Sequence, residues 1–199
     1  VRFGWPRDLP MAELHTRIQE GKAEYPEGDP LQAAYDRFLG AALAALPSYF
    51  GRLPTSELDG LIDPDGPPAY YCPPPFDRSE PGHFVINLAN PAASTMYDEA
   101  VLVHHETVPG HHLQFALALD LGIPTFQSSP VVPLYAQHPA FQAFTEGWAL
   151  YGEHFAAEMG LYDGNPVGNL WRLRLELTRA ARLVADTGMN ALGWTWADA

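Results

Sequence analysis

Four of the eight histidines in the chain fall between His104 and His112, and a Pro-Gly pair interrupts them. The run reads His104-His105-Glu106-Thr107-Val108-Pro109-Gly110-His111-His112. A helix brings residues four apart onto one face, so His-Glu-x-x-His lets two imidazoles share one metal ion. Here the fourth residue after His105 is Pro109, which carries no ligating atom and removes a helical N–H donor. A chain that uses these histidines together must therefore distort its helix at Pro109-Gly110. A two-residue bulge predicts that His111 returns to the place the fourth residue normally holds. His112 is the competitor. Seven residues after His105, it shares a face in an unbroken helix but lies about 10 Å further along the axis. His111 is the preferred partner of His105, with His112 left as the alternative.

Neutral imidazole is the commonest protein ligand for zinc, and a neighbouring Glu can act as general base. Glu106 has that position. A catalytic zinc site also needs a third protein ligand and an open position. The stretch Phe144-Thr145-Glu146-Gly147-Trp148-Ala149-Leu150-Tyr151-Gly152-Glu153 offers carboxylates seven residues apart, which face the same way on a helix. A carboxylate on such an apolar helix is costly unless paired or ligated. Glu146 is the expected third ligand, with Gly147 beside it expected to admit another backbone closely. Glu153 and His112 are the expected alternative ligands or outer supports.

Composition narrows the partners. With 199 residues, 47% apolar, the chain can bury the core of a single domain. A formal charge of −13 excludes a nucleic-acid binder, which needs clustered Lys and Arg, and disfavours anionic membrane. Cys72 is the only cysteine, so no intrachain disulfide forms and no Cys-based metal site exists. No apolar run approaches the roughly 20 residues of a membrane-spanning helix, and no signal peptide is visible. The sequence opens on Val1-Arg2-Phe3 and closes on Trp196-Ala197-Asp198-Ala199, which reads like a helix start. A piece of a longer protein, truncated at both ends, is the expectation, so cytoplasm and export both stay open.

Hydrophobic spacing predicts helices in two pieces over 10–46, with Leu14 and Ile18 in the first and Leu31 to Leu46 in the second. The chain from Pro47 to Pro81 is rich in Pro and Gly, with a turn at Asp63-Pro64-Asp65-Gly66-Pro67-Pro68. Tyr70-Tyr71-Cys72 reads as a short strand and His83 to Leu88 as a better one. Helices are predicted from Asp98 to Val103, Leu113 to Leu121, Phe141 to Met159 and Leu170 to Val184, with a loop from Ser128 to Pro139. In the last helix Leu170, Leu173, Leu177 and Ala181 form one stripe. The class is mainly α with a small β element.

The two motifs resemble a bacterial family known as domain of unknown function 885. Its members carry His-Glu-x-x-Pro-Gly-His-His, matched here by His105 to His112, and Glu-Gly-Trp-Ala-Leu-Tyr-x-Glu, matched by Glu146 to Glu153. Tyr70-Tyr71 with Pro73-Pro74, Pro81-Gly82 and Arg179 to Val184 also match, so the resemblance spans nearly the whole chain. It implies a longer protein and a zincin-like, gluzincin-type helical catalytic domain, in a family with many exported or lipid-anchored members. The Glu146 segment is also similar to the Asn-Glu-Gly-Phe-Ala stretch of aminopeptidase N-like enzymes, whose Glu binds zinc. One departure stands out: Asn190 replaces a His usual in the family.

These readings converge on a zinc-dependent peptidase with one Zn²⁺ held by His105, His111 and Glu146, and with Glu106 as general base. Tyr151, Arg179, Arg182, Asn190 and Asn87 are the expected substrate contacts, and the His83 to Leu88 strand is expected to offer its edge to a peptide. The alternatives are a metal-dependent hydrolase of a non-peptide amide or ester, and a catalytically weakened peptide-binding homologue.

Overall fold

The computed structural model describes residues 6, 8–10, 12, 13, 16, 17, 31–63, 65, 69–86, 98–122 and 139–199. Most of the first expected helical piece, part of the turn after Asp63, Asn87, Leu88 and the loop from Ser128 lie outside them.

Helix α1 (Leu31–Ala45) tightens into a 3-10 turn at Leu46–Ser48, where Pro47 sits. Ala34, Tyr35, Phe38 and Ala42 recur at helical spacing and are buried. Three short strands follow: β1 (Leu58–Ile62), β2 (Ala69–Cys72) and β3 (Gly82–Ile86), in sheet order β1-β3-β2. Helices α2 (Asp98–Glu106), α3 (His111–Leu121), α4 (Pro139–Glu158) and α5 (Pro166–Ala191) complete the chain. The result is mainly helical with a small sheet, as the sequence predicts. No helix among the described residues is long and apolar enough to cross a membrane.

Helix α2 sits at the centre, with α1, α4 and α5 packed around it. Its Ala100 and Val103 join Tyr35, Phe38, Phe84, Ile86, Ala156 and Tyr162 in one apolar cluster, and the Tyr35 ring meets Phe84 edge-on at 5.3 Å. A second cluster of Ala42, Leu46, Val108, Leu113 and Met159 joins α1, α3 and α4. Helix α3 ends at Gly122, whose φ of 64° is the left-handed conformation glycine adopts freely.

Three expectations need correction. The first concerns the sheet. Strand β3 is central: β1 pairs with it in parallel, Leu58 opposite Gly82, and β2 in antiparallel, Cys72 opposite His83. Both its edges are taken, so among the described strands the outer edges belong to β1 and β2. The sequence hides this because β1, Leu-Asp-Gly-Leu-Ile, lies in a Pro/Gly-rich region and contains a glycine itself.

The second concerns α5, which runs beyond the predicted Leu170–Val184. Asn165 caps its start by accepting the Gly168 N–H at 3.0 Å, Pro166 fits the first turn, and Trp194 folds back over Gly188 at its end. Its stripe of Leu173, Leu177 and Ala181 is exposed, together with Leu183 and Val184. Val167, Leu170 and Leu175 surround the buried Trp171 instead, in a cluster shared with Val101 of α2.

The third concerns glycine. Gly147 faces open space, whereas Gly152 lies against α3's entry: a Cβ there would stand 3.2 Å from the Gly110 Cα and N. Gly147→Ala should raise stability by up to about 1 kcal/mol, since alanine is the better helix former. Gly152→Ala should lower it by about 1–3 kcal/mol, because backbone on two elements must shift. Urea denaturation of the two variants checks both signs.

The loop before β1 is tied to α3 by Asp120, which accepts from the Thr55 N–H at 2.7 Å and the Thr55 hydroxyl at 2.6 Å, with Arg78 at 3.2 Å. Burial opposes the charge, but the Thr55 bonds and Arg78 outweigh it and hold the carboxyl below its ordinary value. A lowered folded-state pKa gives stability that is full above the unfolded value of about 3.9 and lost as pH falls through the folded value. The melting-temperature gap between wild type and Asp120→Asn should therefore shrink as pH is lowered from 6 to 3. An unchanged gap across that range contradicts this.

Candidate functional site

Helix α2 stops at Glu106 and α3 begins at His111. Between them Thr107 to Gly110 form a turn with a cis Val108–Pro109 peptide, so the distortion is a full break and not a two-residue bulge. Pro109 has no N–H to continue the α2 ladder. The His112 N–H reaches back across the break to the Thr107 carbonyl at 2.9 Å, and α-helical bonding resumes with the Gln114 N–H on the Gly110 carbonyl at 3.1 Å. A methyl group on Gly110 would collide with the His104 and His105 carbonyl oxygens, so only glycine fits this close return.

Helix α4 grips the break. Trp148 donates its indole N–H to the carbonyl oxygens of Pro109 at 3.0 Å and Gly110 at 3.2 Å, while Gly152 lies against the Gly110 backbone. This contact sets the position of α4 beside the histidines.

The cluster is assembled there. His105, Glu106 and His111 bring ligating atoms within 4.8 Å of one another. Glu146 approaches both rings, its Oε2 at 3.3 Å from His105 Nε2 and its Oε1 at 3.7 Å from His111 Nε2. The opposite ring nitrogens are occupied. His105 Nδ1 meets Glu153 Oε1 at 2.7 Å, and His111 Nδ1 meets Gln114 Oε1 at 3.3 Å. Both oxygens only accept, so each Nδ1 carries a hydrogen and each Nε2 faces Glu146. Glu153 is wholly buried, and its second oxygen accepts from Arg179 Nη1 at 2.9 Å.

Charge follows this arrangement. Burial opposes a proton on His105, but the Glu146 and Glu153 carboxylates outweigh it and raise the imidazole to about 9. Burial pushes Glu106 up to about 7, against the pull of His105 and with repulsion from Glu146 and Glu153 added. Glu146 is held below its ordinary value, first by its bond to His105. Burial, then the charge on His105, lowers His111. The cluster therefore calls for positive charge between its carboxylates.

His112 takes no part in it. Its Nδ1 is 2.9 Å from the Tyr71 hydroxyl, and burial depresses it to about 4. Among the described residues it orients no carboxylate. Tyr71 is the residue that sequence reasoning missed: it stands beside His111, stacks on Phe115, and its backbone N–H bonds Glu106. The signal was the Tyr70-Tyr71 pair before three prolines, which reads simply as a strand.

Other expected contacts go elsewhere. Tyr151 is about 140° around α4 from Glu146 and stacks on Phe155, half-exposed. Asn190 donates to Asp186 on its own helix, to the backbone oxygen at 3.1 Å and Oδ1 at 2.9 Å. Arg182 is exposed on α5. Arg179 bonds Glu153, and its charge also reaches Glu146.

These features define a mainly helical protein with a small three-stranded sheet and a histidine–carboxylate cluster built across a helix break. The chain belongs to the family described as bacterial protein of unknown function (DUF885), whose model matches residues 9–199. No curated protein matches it. Four chains of solved structure do. One is the putative lipoprotein from Colwellia psychrerythraea, at 30% identity and a TM-score of 0.68, with 96% of this chain covered. The match covers 30% of that longer chain.

Trp148→Phe keeps an aromatic ring but removes the indole donor from the Pro109 carbonyl, and leaves the Gly110 carbonyl with the Gln114 N–H. Stability should fall by about 1–2 kcal/mol. Tyr151→Phe, altering a half-exposed ring on the same helix, should change it by less than about 0.5 kcal/mol. Equal denaturation midpoints for the two variants contradict the grip described above.

Proposed function

We propose that this chain is the catalytic region of a zinc-dependent peptidase of zincin-like, gluzincin type. The observation that carries the reading is the approach of His105 Nε2 and His111 Nε2, from either side of the helix break, to the two oxygens of Glu146. Tetrahedral zinc with bonds near 2.05 Å places ligand atoms about 3.3 Å apart. The separations of 3.3 and 3.7 Å suit that spacing. Two imidazoles and a carboxylate are a donor set zinc accepts, and the charge demanded around His105 is one a cation supplies.

A zinc ion held by these three residues would bring the pKa of a water molecule towards neutrality and polarise a carbonyl. Glu106 supplies the proton chemistry. Its carboxyl, pushed up to about 7, can take a proton from the attacking water and return it to the leaving amine. Glu153 and Gln114 orient the two rings. A peptide is favoured over a smaller amide or ester by the free edge of β2, which comes to Glu106 at Tyr71 and suits an extended backbone. Asn190 is given no part in this chemistry, because its side chain is engaged within α5.

Metal analysis of the purified chain should find about one zinc per chain. His105→Ala, His111→Ala and Glu146→Ala should lose most of it, whereas His112→Ala and Glu106→Gln should retain it. On a mixed-peptide digest, Glu106→Gln should be at least about 100-fold slower than wild type. A wild-type chain that binds no zinc, or a Glu106→Gln variant that digests normally, refutes the proposal.

A further inference from the structure

Arg179 has an obvious competing role, since an arginine near a cluster of this kind can bind a substrate carboxylate directly. Its surroundings argue otherwise. Glu153 projects from α4 with no exposed surface, and a buried carboxylate needs partners for both oxygens. Oε1 is occupied by His105 Nδ1 at 2.7 Å and Oε2 by Arg179 Nη1 at 2.9 Å. Without Arg179, one oxygen is unpaired and the carboxylate can turn about its last bond, carrying its hold on His105 with it. With Arg179, the plane of the carboxylate is fixed from a helix 26 residues away. The bond is charged at both ends, and such bonds are short, strong and directional.

We infer that Arg179 is a positioning residue: by clamping Glu153 it fixes the ring of His105 with its hydrogen on Nδ1 and its Nε2 turned into the cluster. The inference rests on the reading of the cluster as a metal site, and it deepens that reading by extending the site to α5. Arg179 offsets part of the Glu153 charge behind His105, and its charge also favours the ionised Glu146 in front of the ring. Arg182, three residues on, has the same charge and is exposed, which makes it the matched control.

Two measurements test this. The first is proton magnetic resonance of the metal-free protein, where the His105 Nδ1–H, bonded to Glu153, should give a slowly exchanging signal, assigned by its loss in His105→Gln. The second is zinc affinity by competition with a chromogenic chelator. Arg179→Ala should lose the slow exchange and weaken zinc binding about 10- to 100-fold, the usual effect of removing an outer support. Arg179→Lys should restore part of both, and Arg182→Ala should match wild type. Arg179→Met, which keeps the aliphatic stem, carries the same expectations should Arg179→Ala fail to fold. Wild-type values of both readouts in Arg179→Ala or Arg179→Met overturn the inference, and a raised KM for peptides alongside them identifies a substrate contact instead. Should the wild-type protein bind no zinc, the metal reading falls, while the exchange measurement still decides what Arg179 does to His105.

Discussion

The grip of α4 on the helix break at Thr107–Gly110 governs the rest of the structure. Trp148 bonds the Pro109 carbonyl and shares the Gly110 carbonyl with the Gln114 N–H, and Gly152 lets α4 come close enough to do so. That approach brings Glu146 and Glu153, seven residues apart, to the two nitrogens of one imidazole. The break itself turns His111 towards His105 and sends His112 to Tyr71. A continuous helix would give none of these pairings.

Much of the site was legible in the sequence because it depends on local periodicity. Pro109-Gly110 announces the distortion, and the seven-residue spacing of Glu146 and Glu153 announces a shared face. What stayed hidden depends on tertiary partners. Sequence suggested Gly147 as the close-packed glycine because it adjoins Glu146, yet Gly152 one and a half turns on meets the other backbone. The sheet order was illegible because β1 is short and glycine-interrupted within a Pro/Gly-rich region, and so does not announce itself. Arg179 read as a substrate contact because its partner sits on another helix, beyond the reach of any spacing rule.

Helix α5 shows how an amphipathic pattern can point two ways. Leu173, Leu177, Ala181 and Val184 form a fair apolar stripe, yet the face it turns inwards carries Trp171, Arg172 and Arg179. Arg172 is itself buried, donating to Asn169 and Glu176 at 3.0 and 2.8 Å. Fixed charge partners thus share the burial of this helix with aliphatic contact, an arrangement that hydrophobic spacing alone does not predict.

The shape of β2 sets a length scale. The strand has four residues and runs directly into Pro73-Pro74-Pro75, which lack the N–H groups a ladder needs. Alternate residues of a paired strand turn their backbone groups outwards, so Ala69 and Tyr71 face the free side, and the Tyr71 amide is already engaged by Glu106. An edge this brief cannot template indefinite strand stacking, the hazard of longer open edges. On the peptidase reading it would act as a ruler: a chain laid along it would be measured against one or two residues before the prolines force it away.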